Sequence, residues 1–171
     1  MGAIDGMPLL LSAAELTAQR FGESVSELHT LMNQQGGQTV FVNGLRMATV
    51  QIEFSVVGVF SLFEARMQHK FPNGSFFKQL RVHLIEAGQN QLATDVWHYY
   101  LAVNVLKHGA GQSYKELCKS PDLPFMIKKP GELFFEEGDV AEPEGLINVI
   151  EKDFFKSLIS TLSRVHMLLD D

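Results

Sequence analysis

The sequence predicts an all-α fold, a helical bundle of four to five main helices with a small β-hairpin insertion near residues 124–137. Three observations carry this. Apolar residues recur at helical spacing through several long stretches. Glycine- and proline-rich breaks separate those stretches. The strand candidates do not alternate with helices, which disfavours a parallel α/β sheet.

Taken in order, Ser12 and Glu15 read as a capping box, each side chain meeting an orphan N–H, so the first helix is expected to start there. Leu16, Phe21, Val25, Leu28 and Met32 continue it, and Gly36-Gly37 ends it. Thr39 to Val42, β-branched or aromatic, read as extended, and Asn43-Gly44 as a turn. A second helix then runs from about Leu45 to Lys70. Its run Phe54 to Phe63 is apolar on most sides, the pattern of a buried central helix. Phe71-Pro72-Asn73-Gly74 stops it, and Ser75 is the next N-cap. Phe76, Phe77, Leu80, Leu84 and Ala87 mark a third helix, with Gly88 as its end or kink. A fourth spans about Asn90 to His108, closed by Gly109 in the left-handed position. Ser113 and Glu116 suggest a second capping box for a short helix. Phe125 to Lys128 and Glu132 to Glu136 then form the expected hairpin. A last helix is expected from about Leu146 to Leu169.

The chain has 171 residues and 46% apolar residues, which suits one domain over 1–171 with a real core. Residues 1–7 read as a flexible tail without signal-peptide character; Gly6 stands where a myristoylation motif wants Ser or Thr. Phe54 to Phe63, bracketed by Glu53 and Glu64, is too short to span a bilayer, which needs about 20 residues. The net charge of −6 argues against a general nucleic-acid coat protein, whose affinity rests on neutralising phosphates. Basic residues nonetheless outnumber acids from Arg66 to Lys129, and acids dominate from Glu132 to Asp153. That is either a basic groove beside an acidic lobe or an ordinary solvated surface. The single cysteine, Cys118, permits no internal disulfide and points to a reducing, cytoplasmic setting.

The most informative stretch is Val103-Asn104-Val105-Leu106-Lys107-His108-Gly109-Ala110-Gly111. Asn104 and His108 are four apart and share a helix face, which Trp97 and Leu101 extend backward. Lys107 lies beside it, and the helix end favours a cation there. Gly109 and Gly111 leave the backbone open to close approach. An amide, an imidazole and an ammonium converging at a helix end suit anion binding or acid–base chemistry. The plain alternative is an ordinary helix terminus, with Lys107 and His108 capping carbonyls.

This stretch resembles the HEPN superfamily of helical bundles. Its active ribonucleases carry an Arg, a polar residue that is often Asn, and then a His, with a small residue following. Asn104, His108 and Gly109 fall on the last three of those positions. The Arg has no counterpart, because the permitted spacings hold Leu101, Ala102 and Val103. In the family's metal-independent cleavage the Arg stabilises phosphate charge, usually the largest catalytic contribution. The resemblance therefore implies a non-catalytic bundle, a homodimer, that binds a nucleotide, RNA or a partner protein around Asn104, Lys107, His108, Gly109 and Ser113. Partner proteins of the toxin–antitoxin or defence-operon kind are included. The alternative is a ribonuclease using His108 and Asn104 with a surrogate cation from Lys107, Arg66 or Arg81. A third reading is a pure interaction module. No cofactor, metal site or membrane partner is expected. The six histidines are scattered without i, i+4 pairs, and Trp97, Tyr99 and Tyr100 read as core residues more than as base-stacking platforms.

Overall fold

The computed structural model describes residues 6–132 and 145–170, Lys152 by its backbone alone. Six helices follow in order: α1 (Gly6–Gln35), α2 (Thr39–Met67), α3 (Phe76–Glu86), α4 (Asn90–His108), α5 (Gln112–Lys119) and α6 (Phe154–Asp170). Short 3₁₀ turns sit at Gln68–Lys70 and Glu151–Asp153. Two strands, β1 (Met126–Ile127) and β2 (Ile147–Asn148), pair antiparallel with Met126 opposite Asn148 and Ile127 opposite Ile147. The fold is thus the expected all-α bundle with a small two-stranded antiparallel element.

The second strand lies later than the sequence suggests. The expected run from Glu132 to Glu136 falls, after Glu132, outside the described residues. The residues pairing with β1 belong to the stretch read as the start of the last helix. Asn148 explains this: its Oδ1 accepts the N–H of Ile150 and of Glu151, each at 3.1 Å, closing a local turn that competes with helix. Regular α-helix resumes at Phe154, whose side chain is fully buried.

Two other boundaries shift for tertiary reasons. The first helix begins at Gly6, not Ser12, because Met7, Leu11 and Ala14 extend the buried stripe back by two turns. Gly6 and Met7 are accordingly helix rather than tail. Thr39 to Val42 and Asn43-Gly44 are helix as well. Gly44 is a packing residue: a Cβ there would stand 3.0 Å from Leu28 Cδ2, so its absence lets α1 and α2 approach closely. Tertiary contact overrides both the turn signal and the β propensity. Gly36, at φ 78°, turns the chain between them.

Aromatic contacts tie the layers together. Phe60 of α2 stacks on Phe77 of α3 at 4.2 Å between ring centres, and Phe77 meets Tyr100 of α4 at 5.4 Å. Tyr99 meets Phe125 and Phe154, each at 5.5 Å, joining α4 to the β element and α6. α6 runs antiparallel to α4, since Tyr99 meets Phe154 while Asp95 pairs with Arg164 at 3.8 Å.

The expectation of a buried central α2 is not met. Its inner face, Ala48, Ile52, Val56, Phe60, Phe63 and Met67, is buried. Its outer face is not: Val40, Met47 and Phe54 are 64%, 65% and 73% exposed. The apolar run also continues beyond its bracketing glutamates. The helical stretch Thr39–Lys70 is long and apolar enough by composition to cross a membrane, and only 22% of its most apolar window is buried. One face packs in the bundle and the other has no cover among the described residues.

Candidate functional site

α4 has few polar positions between its buried ones. Leu101, Ala102, Val103 and Val105 are buried, Asn104 is half-buried between them, and Lys107 and His108 are exposed in the last turn. Gly109, at φ 72°, ends the helix with its N–H donating to Val105 O at 2.7 Å. Its positive φ agrees with the glycine expected there, while its ψ of −152° turns the chain out of the helix in an extended direction open to glycine. Among the described residues, the Asn104, Lys107 and His108 side chains enter no hydrogen bond or ion pair.

The chain then reverses. α5 starts from Gly111, not Ser113, which lies half-buried inside its first turn. Glu116, expected to complete a capping box, instead accepts the indole N–H of Trp97 at 2.6 Å. That bond lays α5 back along the Trp97 side of α4, so the face running from Trp97 through Leu101 to Asn104 is not one open surface. Leu101 is buried, and Tyr114 of α5 donates its hydroxyl proton to Lys128 O.

Neither anticipated arginine reaches the motif. Arg81 lies over the Trp97 ring at 4.7 Å, a cation–π contact. Trp97 and His108 are eleven residues apart, about 16 Å along the helix at 1.5 Å per residue. Arg66 donates to Gly6 O. Four residues later, Lys70 donates to Leu169 O at 2.7 Å and pairs with Asp170 at 3.5 Å. Since the end of α6 lies beside the start of α4, Arg66 belongs to the Asn90 end of the bundle. His108 is at the other end, about 27 Å away along α4. Of the proposed set, Asn104, Lys107, His108 and Gly109 are brought together; Arg66 and Arg81 are not.

A separate polar cluster, unforeseen from the sequence, surrounds Trp97. His98 is buried with Nδ1 unpartnered. Burial is the main cause that pushes its imidazole below the usual range; Asp95 opposes this, Arg81 adds to it, and Glu116 opposes it. Tyr99, also buried, has its hydroxyl raised to about 12 by desolvation. His98 thus sits at the α3–α4–α5 junction, while Tyr99 faces the β element and α6. A groove of about 1480 Å³ runs between α1 and the start of α6, past Phe21, Val25 and Phe154, and a smaller one of about 420 Å³ lies beside Phe71 and His83. Neither includes Asn104, Lys107 or His108.

The other feature missed in the sequence is the outer face of α2. Its signal was legible as Val40, Met47 and Phe54 at intervals of seven, the repeat of a helix–helix seam. The same interval equally describes a core stripe, so sequence alone did not separate them.

Among the described residues, fold and geometry together define a helical bundle with an exposed apolar helix face and a small polar helix end. No protein-family model matches the chain, and no curated protein or solved structure matches it.

Proposed function

We propose that this chain is a non-catalytic interaction module of HEPN-like character, and that it works by holding a protein surface against the outer face of α2. The exposed apolar face carries this reading. Single exposed apolar residues are ordinary, but a contiguous series along one helix is characteristic of an interaction surface. The absent arginine supports the non-catalytic part: both candidate surrogates are engaged elsewhere, leaving Lys107 as a point charge without a bidentate fork.

A photoreactive phenylalanine analogue at position 54 tests the reading in cells expressing the protein. A discrete covalent adduct with protein supports it, and irradiation without one refutes it. Cleavage of single-stranded RNA by the purified protein, abolished in a folded His108→Ala variant, would overturn the non-catalytic assignment.

A second reading has its own observation. Lys107 and His108 stand exposed together at a helix end beside Asn104, an arrangement suited to the phosphate of a nucleotide or RNA. A nucleotide that raises the melting temperature of the wild type but not of Asn104→Ala would establish it.

A further inference from the structure

The outer face of α2 has an internal asymmetry. Its first half carries large apolar side chains, Val40, Met47, Val50 and Phe54, all exposed. Its second half presents Gly58, Ser61 and Ala65 on the same side, with Leu62 at the margin. Gly58 has nothing within 4 Å of the position its Cβ would take. An exposed glycine in mid-helix weakens the helix, and among the described residues no contact explains it.

This pattern is self-complementary in one orientation. We infer that the outer face of α2 is the seam of a symmetric homodimer, in which α2 lies antiparallel to α2 of a second copy. The inference rests on the interaction-module reading and names its partner. With the two-fold axis level with Val56, residues whose numbers sum to 112 face each other. Phe54 then falls over Gly58 of the second copy, and Met47 over its Ala65. Large groups meet notches, as an isologous contact requires of a single surface.

Charge agrees with the same register. Arg46 and Glu64 flank the stripe on one side, and antiparallel pairing brings same-side flanks together. Arg46 falls within two residues of Glu64 of the second copy, about 3 Å along the axis and inside the reach of an arginine. A parallel arrangement would bring opposite flanks together and leave Arg46 without Glu64 opposite it.

Area is sufficient if α1 takes part. α1 and α2 are antiparallel neighbours, with Gly6 beside Arg66 and Gly44 beside Leu28. On α1, Leu9 and Leu16 are exposed opposite the buried Met7, Leu11 and Ala14. The α2 stripe from Val40 to Ala65 is about 37 Å long. Two helices each about 10 Å wide give roughly 700 Å² per copy, or roughly 1,400 Å² in all, within the range of stable interfaces. α2 alone would supply about half, too little.

Sedimentation equilibrium of the purified full chain, from low to high micromolar concentration, tests this. The wild type is expected to approach twice the 19.1 kDa of one chain. Gly58→Gln fills the notch with a better helix former. It should weaken association at least tenfold while the melting temperature measured at the lowest concentration holds or rises. Arg46→Glu should weaken association, and Arg46→Glu with Glu64→Arg should restore it. A wild type that stays monomeric overturns the inference; a covalent adduct at position 54 in cells would then leave the module reading standing with a different partner. A monomer that co-floats with phosphatidylcholine–phosphatidylserine vesicles assigns the face to a membrane surface and overturns both. A dimer indifferent to Gly58→Gln and to the charge exchange places the seam elsewhere and also overturns the inference.

Discussion

Phe77 and Phe54 are chemically identical and both sit in strongly apolar helical stretches, yet the structure assigns them opposite energetic roles. Phe77 is fully buried, stacked on Phe60 at 4.2 Å with an interplanar angle of 12°, and meets Phe76 at 4.9 Å and Tyr100 at 5.4 Å. Truncating it to alanine removes the transfer free energy of the ring and leaves a cavity where α2, α3 and α4 meet. Such changes cost about 3–5 kcal/mol. The lost ring pairs, worth about 0.5–1.5 kcal/mol each in favourable geometry, place Phe77→Ala toward the upper end of that range. For a chain of this size, 1 kcal/mol moves the melting temperature by about 2–4 °C, so a drop of roughly 6–20 °C is expected. Phe54→Ala, at 73% exposure, removes little buried area and should stay within about 0.5 kcal/mol of wild type when measured on the dissociated monomer. Paired urea and thermal melts followed by far-ultraviolet circular dichroism, at the lowest usable concentration, decide the matter. Comparable losses for the two variants under those conditions would refute the assignment of α2's inner and outer faces.

Two further predictions concern buried polar groups. Glu116→Ala removes the acceptor for the indole N–H of Trp97. It should cost about 1–3 kcal/mol, the loss typical when a partly buried donor is left unpaired. Trp97 is the only tryptophan, so its emission reports the site directly, and an unchanged spectrum and stability would contradict the α4–α5 bond. Glu53 is half-buried, and desolvation raises its carboxyl above 4.5. The folded chain therefore holds this proton more tightly than the unfolded chain. The contribution is fully present below about pH 4.5 and is lost as pH rises through the folded value. Glu53→Gln should therefore be more stable than wild type near neutrality and show no such gain in acid. An advantage that grows as pH falls would reverse the sign and defeat the argument.

Much of the fold was legible along the chain because helices are local. The 3.6-residue recurrence of Phe76, Phe77, Leu80 and Leu84 marked α3, with Ser75 and Gly88 as its ends, and Gly109 marked the end of α4. The motif at Asn104 and His108 was legible for the same reason: two residues four apart on a helix share a face whatever surrounds them. Local rules also misread some boundaries. Ser12 with Glu15 and Ser113 with Glu116 had capping-box spacing, but burial of Met7 carried α1 past the first, and the Trp97 indole took the carboxylate of the second. Asn43-Gly44 had the composition of a turn, yet its glycine serves the close approach of Leu28.

The sequence by itself determined where most helices form, that they are amphipathic, and that an amide and an imidazole share one face at the end of α4. These depend on backbone periodicity and short-range sterics. The tertiary structure alone decided which apolar face of α2 is covered, that Arg81 lies on Trp97 and Arg66 at the far end of the bundle, and that Ile147 pairs with Ile127. Those outcomes depend on contacts between residues distant along the chain, whose distances are fixed only when the helices pack. An apolar stripe has the same spacing whether another element of the chain lies over it or none does, and only the packed bundle shows that no described residue covers the outer face of α2.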